Sequence, residues 1–309
     1  MDLRQMQAFL AVIEHGGFTA AARATHTVQS NISTHVARLE RELDVTLIDR
    51  ATGRTTAEGE AVLARVRRIQ SELISLEADV SSMKGSPRGT VRLGVVGTTA
   101  RWMVPLLVDE LTSQAPDIHL MIADGTTSSL TLRILDGDLD LALIGLPHDD
   151  PEIQTTALFS EQHVVIAPDD HPLAKHEGEV SLDDLARHEL LLAAPGTAFR
   201  REIDEVFAAH DLKIRAKLEV DGLRLLASLA FQGFGVAVVP VTAAPGWIGG
   251  NWTRIHVPGL PRRTVGSATR RRGMISVAAQ AVLQAVTDVV QAETDTMQGL
   301  SVNVADRRS

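Results

Sequence analysis

Residues 18–50 read FTAAARATHTVQSNISTHVARLERELDVTLIDR and contain the most informative short-range pattern of the chain. Residues 20–22 are alanines, which favour a helix and are small enough to let a second helix approach closely. After a short polar turn, four apolar residues recur at intervals of 4, 3 and 4, namely Ile32, Val36, Leu39 and Leu43. This spacing predicts an amphipathic helix. Two helices joined by so short a turn predict a helix-turn-helix.

The flanking residues extend this unit on both sides. Upstream, an apolar stripe predicts a further helix, which Gly16 and Gly17 terminate; its members are Leu3, Met6, Leu10 and Ile13. Downstream, residues 45–48 are β-rich, and residues 49–55 are typical of a small hairpin with a basic tip. A helix-turn-helix followed by such a hairpin is a winged helix-turn-helix.

Residues 58–83 form the clearest long periodic signal. Their apolar residues are spaced 4, 3, 4, 3, 4 and 3 apart, and they are Val62, Val66, Ile69, Leu73, Leu76, Val80 and Met83. This heptad pattern predicts a helix about 39 Å long with an apolar seam. The favoured partner of the seam is a second copy of the chain. The alternative is that the helix lies on the core of its own subunit.

The remainder of the chain has a different character. A hydrophilic linker at residues 84–90 is followed by alternating strand-like and helical segments, which predict a parallel α/β sheet in two lobes. A final amphipathic helix is predicted near residues 276–291, and the polar tail is predicted to be disordered. Residues 270–272 are three arginines, predicted to lie in an exposed loop, with DNA or subunit contact as the alternative.

Composition narrows the class of protein. The 309 residues correspond to about two domains, and 44% apolar with 22% charged residues is ordinary for globular proteins. The absence of cysteine excludes thiolate nucleophiles, disulfides and thiol redox sensing. The net charge of −9 argues against general electrostatic adhesion to nucleic acid, although it leaves a local patch open. No long apolar run and no signal-peptide pattern are present, so a cytoplasmic, non-membrane protein is expected.

In combination, these residues resemble the LysR-type transcriptional regulators. The resemblance rests on an ordered set: Phe18, Thr19, Ala21, Ala22, Gln29, Ser30, Ser33, Leu39, Glu40, Leu43, Val45, Leu47, Asp49, Arg50, Thr56, Gly59 and Glu60. It implies an α+β and α/β multidomain fold with an N-terminal winged helix-turn-helix, a long linker helix and a two-lobed α/β effector-binding domain similar to periplasmic solute-binding proteins. It also implies promoter DNA, a small-molecule effector and RNA polymerase as partners, and a homodimer or homotetramer. Two departures from the family pattern are Val28, in place of a usual serine, and Asp44, in place of a usual glycine.

The organisation expected from the pattern and the resemblance together has five parts. They are a winged helix-turn-helix DNA-binding domain at 1–57, a dimerisation helix at 58–84, a flexible linker at 85–90, an effector-binding domain at 91–296 and a disordered tail at 297–309. Within the effector-binding domain, lobe 1 is expected at about 91–162 and 267–296, and lobe 2 at about 163–266.

The DNA-contacting residues are predicted on the outer face of the second helix of the motif and on the wing. Amide and hydroxyl groups suited to base edges are supplied by Gln29, Ser30, Ser33 and Thr34. The resemblance implies that the wing residue Arg54 enters the minor groove, whereas Arg38 and Arg50 hold phosphates. The alternative for each residue is a solvated helix face.

The effector is expected between the two lobes. Thr98 and Thr99 precede a helix predicted to start at residue 101 or 102, and Thr126 and Thr127 follow the second strand of the lobe. Across the cleft, the resemblance implies that Thr197, Phe199 and Arg200 face the ligand. Hydroxyls and helix amides favour a carboxylate-bearing metabolite. The alternative is that the threonines only cap helices.

A catalytic function is the second hypothesis. The sequence contains no histidine pair spaced for zinc, no phosphate-binding glycine loop and no nucleophile elbow, so no metal and no cofactor are expected. The alternative to a regulator is therefore a cytoplasmic small-molecule-binding or catalytic α/β protein with a helical leader.

Overall fold

The computed structural model describes residues 1–50, 52–82 and 86–302. Three helices form the N-terminal head, α1 (Leu3–Glu14), α2 (Phe18–Ala24) and α3 (Gln29–Leu43). The apolar stripe of α3 faces inward as its spacing predicts, because Ile32, Val36 and Leu39 are buried against Phe9 of α1 and its neighbours. The helix-turn-helix is thus present with the predicted buried face.

The ends of these helices refine the sequence interpretation. Gly17, with φ of 144°, is the N-cap residue of α2, and Thr19 lies inside the helix. Asp44 ends α3 in the left-handed conformation at φ 54°, which explains why glycine is usual there in the family. The wing is a tight turn closed by the Ile48–Thr55 bridge, in which Gly53 has φ of 70°.

The long helix α4 (Ala57–Ser82) has three different faces. Near its start, Leu63 and Val66 pack into the core of the head, with Val62 partly buried beside them. The exposed face carries the rest of the seam: Ile69 is 37%, Leu76 59% and Val80 50% exposed, whereas Leu73 is half-buried. Met83 lies outside the described residues.

The third face of α4 is polar and docks on lobe 1 of the same chain. Arg67 pairs with Asp138 (3.5 Å), and Glu72 pairs with Arg270 (3.1 Å). The Asp79 carboxylate accepts from the Val277 amide at 2.8 Å. The helix therefore does lie on its own subunit, through polar contacts that leave Ile69, Leu76 and Val80 of the seam exposed. Arg270, expected in a loop, is the last residue of a strand.

Lobe 1 is built on a parallel sheet. Strands β1 (Gly89–Val96), β2 (Ile118–Gly125) and β3 (Leu141–Leu146) pair in the order β2-β1-β3. The helices of this lobe are α5 (Gly97–Gln114), α6 (Thr127–Asp136) and α10 (Val277–Thr294). The apolar face of α10 packs on the central cluster around Trp102, Met103 and Phe159.

Lobe 2 repeats this plan. Strands β5 (Glu189–Ala193), β6 (Arg215–Val220) and β7 (Val236–Pro240) are parallel. Strand β8 (Trp252–Ile255) pairs antiparallel with one of the strands that connect the lobes rather than with these three. The helices of this lobe are α7 (Leu182–Ala186), α8 (Ala198–Ala209) and α9 (Leu223–Phe231).

Two long antiparallel strands join the lobes. Strand β4 (Ile153–Pro168) pairs with β9 (Arg262–Arg270) as far as Gln162, and with β7 and β8 from His163 onward. The predicted parallel sheet is therefore correct within each lobe, whereas the connecting strands are antiparallel. Strand β4 changes its pairing partners between residues 162 and 163, where the sequence predicts the boundary between the lobes.

The beginning of the predicted disordered tail is ordered instead. Strand β10 (Leu300–Val302) pairs with β4, and Met297 and Leu300 are buried. Burial of these two apolar side chains outweighs the polarity of the segment. Residues 303–309 lie outside the described residues. No helix within the described ranges is both long and apolar enough to cross a bilayer.

Candidate functional site

The outer face of α3 is a continuous polar surface. Gln29, Ser30, Thr34 and Arg38 are exposed, and Ser33 is half-buried. Positions 30, 34 and 38 follow one another at four-residue intervals and therefore lie on one line along the helix. Their hydroxyl, amide and guanidinium groups form the solvent-exposed surface of the helix.

The start of α3 is open. The cap position is occupied by Val28, which is exposed and gives no side-chain hydrogen bond to the helix. A helix that begins without a side-chain cap keeps its first amides available for an outside acceptor such as a phosphate. Because valine replaces the usual serine, the backbone amides at the start of α3 receive no side-chain cap and can bind an outside acceptor.

The wing arginines differ in their surroundings. Arg54 is exposed at the turn. Arg50 reaches Glu40 at 3.4 Å and lies 6.0 Å from the centre of the Phe18 ring. Glu40 is itself held by backbone amides just before the wing, accepting from Leu47 at 2.9 Å. Arg50 is therefore oriented by the head, whereas Arg54 projects beyond it.

Thr98 and Thr99 do not precede a helix, because α5 already begins at Gly97. Both threonines lie in the first turn and are buried, at 2% and 0% exposure. Their hydroxyls accept from Nη2 of Arg263 at 2.7 and 3.3 Å. The predicted start at residue 101 or 102 is four or five residues late, because Gly97 and the two threonines are weak helix formers. Burial of the threonines and their contacts with Arg263 outweigh that preference.

The other threonines hold their own backbone. Thr126 caps α6 by accepting from Ser129, and Thr197 caps α8 by accepting from the Arg200 amide at 3.2 Å. The Thr127 hydroxyl accepts from the Gly145 amide at 3.1 Å and so joins α6 to β3. Thr126 and Thr197 therefore cap helices, as the alternative interpretation of the sequence expects. A ligand contact at these positions stays a prediction.

Arg200 and Phe199 lie at the start of α8. The Arg200 guanidinium donates to Asp204 at 2.9 Å and to Glu219 at 2.7 Å. Phe199 packs edge-on against the ring of His163, with ring centres 4.8 Å apart. The structure therefore brings Phe199 to the connecting strands, whereas it surrounds Arg200 with carboxylates.

Three residues at the junction of the lobes were not predicted from the sequence: Glu161 and His163 on β4, and Arg263 on β9. Glu161 is fully buried, accepts from Nε of Arg263 at 2.7 Å and also accepts from the Thr242 amide at 3.0 Å. Charged and titratable side chains inside an otherwise apolar strand-like run were the available signal. Their partners, about a hundred positions away, were not visible in the local pattern.

His163 is buried without a hydrogen-bond partner. Its ring is 1% exposed, and neither ring nitrogen has a partner at hydrogen-bonding geometry among the described residues. Burial first, and the positive charge of Arg263 second, lower its pKa from 6.5 to about 3, against a smaller opposing effect of the Pro261 carbonyl. The imidazole is therefore neutral at the pH of a cell.

This pKa predicts a loss of stability in mild acid. Because the folded pKa lies below the unfolded value of 6.5, the stability is fully present above pH 6.5 and declines as the pH falls toward the folded pKa. Between pH 8 and pH 5 the loss from this group amounts to about 2 kcal/mol. We expect His163→Leu to remove that loss, measured as the free energy of unfolding in urea at pH 8 and pH 5.

The readout for this test is specific for the lobes, because all three tryptophans (Trp102, Trp247 and Trp252) lie there. His119→Gln, at an exposed position, is the matched control. Equal losses in the wild-type protein and His163→Leu would show that His163 does not cause the acid sensitivity.

Comparison with known proteins identifies both parts of the chain. The family model described as the bacterial regulatory helix-turn-helix protein of the lysR family matches residues 3–60, and that of the LysR substrate binding domain matches residues 84–291. A probable hydrogen peroxide-inducible genes activator of Streptomyces viridosporus is 32% identical over 245 residues, 78% of this chain and 78% of that protein. The HTH-type transcriptional regulator ShiR of Corynebacterium glutamicum is 32% identical over 243 residues, 77% of this chain and 82% of its own length.

Solved structures agree in fold. A full-length OxyR variant from Pseudomonas aeruginosa superposes with a TM-score of 0.72 at 22% identity, covering 97% of this chain and 98% of that one. Full-length CbnR in complex with its target DNA gives 0.68 at 24% identity, covering 94% and 99%. With both family models placed in order along the sequence, the chain belongs to the LysR family of bacterial transcriptional regulators.

Proposed function

We propose that this protein binds a promoter sequence as a homodimer or homotetramer and that a small molecule between the lobes controls its activity. The observation that carries the proposal is the exposed polar face of α3 above a fully apolar inner face, in a chain that has both domains of the family. A site of action in the cytoplasm, at the promoter and beside RNA polymerase, follows from that function.

The proposed DNA contacts divide into two kinds. Gln29, Ser30, Ser33 and Thr34 would contact base edges in the major groove, because each has a donor or acceptor on the exposed side of α3. Arg54 would enter the minor groove, and Arg38 and Arg50 would contact phosphates. The uncapped start of α3 adds backbone amides directed at the duplex.

Two substitutions test the placement of these contacts. We expect Ser33→Ala and Arg54→Ala each to weaken binding to the region upstream of the protein's own gene by about tenfold, because each removes one contact per head. Fluorescence anisotropy at fixed salt measures the effect. Neither side chain supports the core of the head, so its helical circular dichroism should not change.

Arg201→Ala provides the control, since it removes the same charge from an exposed position of α8. Equal affinities for the wild-type protein, Ser33→Ala and Arg54→Ala would contradict the proposed orientation of the head on DNA.

The seam of α4 supports the oligomer. Its exposed residues Ile69, Leu76 and Val80 form an apolar strip that the subunit itself leaves uncovered. A second copy would bury this strip and would hold two heads at a set distance. Joining two heads raises the affinity of the pair through effective concentration.

The proposed action is binding rather than catalysis. The relatives that match most of this chain carry the names of transcription regulators. Some are named for induction by hydrogen peroxide, but this sequence contains no cysteine, so a thiol cannot carry such a response here. We therefore propose that the signal is a small molecule that binds reversibly.

A further inference from the structure

We propose that Glu161 supplies a built-in carboxylate to the cleft between the lobes, so that the small molecule bound there is uncharged rather than an organic acid. The inference rests on the proposed function, because it concerns the ligand of that cleft. It replaces the sequence-based expectation of a carboxylate-bearing metabolite.

The Glu161 carboxylate makes the contacts that a protein would make with the carboxylate of a bound ligand. One of its oxygens contacts both Nε and Nη2 of Arg263, at 2.7 and 2.6 Å, and the other accepts from the Thr242 amide at 3.0 Å. A guanidinium and a backbone amide are the groups that proteins use to hold the carboxylate of a ligand. Here the chain fills that position with its own fully buried side chain.

Arg263 connects this carboxylate to lobe 1. The Nη2 that contacts Glu161 also donates to Thr98 in the first turn of α5. The hydroxyls of Thr98 and Thr99, which the sequence predicts to bind an anion, therefore already contact Arg263. The guanidinium of Arg263 is in turn paired with Glu161. An acidic ligand would have to displace a carboxylate that is covalently attached to the site and therefore present at high effective concentration.

Two further arginines are also paired with carboxylates. Arg200 contacts Asp204 and Glu219, and Arg224 at the start of α9 contacts Asp124 at the end of β2. Arg101 lies over the ring of Phe231, 5.8 Å from its centre.

The uncharged groups at the junction indicate what fits instead. His163 is neutral and has no hydrogen-bond partner among the described residues, and Phe199 covers its ring edge-on. A neutral imidazole offers one donor and one acceptor. A ligand with a hydroxyl or an amide, which also donates and accepts, matches both without bringing a charge.

Acetate is the probe that tests the built-in carboxylate. Thermal unfolding, followed by tryptophan fluorescence, is compared in sodium acetate and sodium chloride at equal ionic strength. We expect the wild-type protein to unfold at the same temperature in both salts. Glu161→Ala should unfold about 10 °C lower in chloride, because it leaves Arg263 buried without its partner. Acetate should restore at least half of that loss by entering the vacated position.

Glu161→Gln is the matched control, since it removes the charge but fills the space, and acetate should not stabilise it. Equal stabilisation of the wild-type protein and Glu161→Ala by acetate would overturn the proposal, as would the absence of any acetate effect on Glu161→Ala. If Glu161→Ala refolds poorly in chloride, its yield of refolded protein in acetate and in chloride replaces the melting temperature.

A second measurement uses the wild-type protein alone. Acetate is compared with acetamide, and benzoate with benzamide, by the same unfolding assay. A higher unfolding temperature with either acid than with its amide overturns the inference, while the function as a DNA-binding regulator stands. Conversely, wild-type protein that fails to bind its upstream region would refute the proposed function and leave the acetate result unaffected.

Discussion

Replacing Leu76 with glutamate is expected to convert the oligomer into single subunits and to weaken binding to the upstream region by about a hundredfold or more. Leu76 is the most exposed described residue of the α4 seam, between Ile69 and Val80. In a symmetric pair of helices the substitution would bury two carboxylates in an apolar contact, which costs far more than the lost apolar area alone. The large effect on DNA binding arises because two independent heads lose the effective concentration that a dimer provides.

Sedimentation equilibrium and anisotropy on the same sample check both parts of this expectation. The matched control is Ile74→Glu, because Ile74 is an exposed apolar residue of α4 (38%) that lies off the seam. It introduces the same charge into the same helix and should leave the oligomer and the affinity unchanged. If Leu76→Glu stays a dimer while Ile74→Glu dissociates, the seam is not the contact surface.

Substituting Gly59 with alanine is expected to unfold the head and abolish DNA binding. Gly59 lies in the first turn of α4, and a Cβ there would come within 2.1 Å of the Leu47 carbonyl oxygen. The contact is with backbone, which cannot move aside as a side chain can. Leu47 itself is fully buried in the core of the head, so moving α4 away from Leu47 exposes the core. The cost is about 3 kcal/mol or more, a large share of the stability of so small a domain.

The loss should be confined to the head. Circular dichroism should show a loss of helix, whereas tryptophan fluorescence, which reports the lobes, should give an unchanged unfolding curve. Gly249→Ala is the control, because a Cβ there meets nothing within 4 Å. Full DNA affinity in Gly59→Ala would contradict the close packing of α4 on the backbone of Leu47.

Short-range sequence patterns were sufficient to predict the fold of the head and the order of strands and helices in the lobes. The apolar stripe of α3 is buried as its spacing predicts, because each of its residues is placed by the helix period and needs no distant information. Similarly, the seam of α4 follows from the heptad, and the exposed Leu76 and Val80 lie where the pattern puts them. The resemblance to the family depends on these same local features.

The chemistry at the junction of the lobes could not be predicted in this way. Glu161 and Arg263 are 102 positions apart, and Arg270 and Glu72 are 198 apart. Such pairs depend on how strands and helices pack, and periodicity carries no information about the partner. The predicted ligand threonines were chosen by their position after strands, and packing turned Thr98 and Thr99 inward and made Thr126 and Thr197 helix caps.

Local sequence therefore predicted the helix-turn-helix, the seam and most of the helices and strands, since each arises from interactions within a few turns of chain. The pairing of charges between the lobes, the polar docking of α4 and the ordering of residues 300–302 depend on long-range packing. The physical reason is that burial determines which charges must be neutralised within the protein, and burial exists only once distant segments have come together.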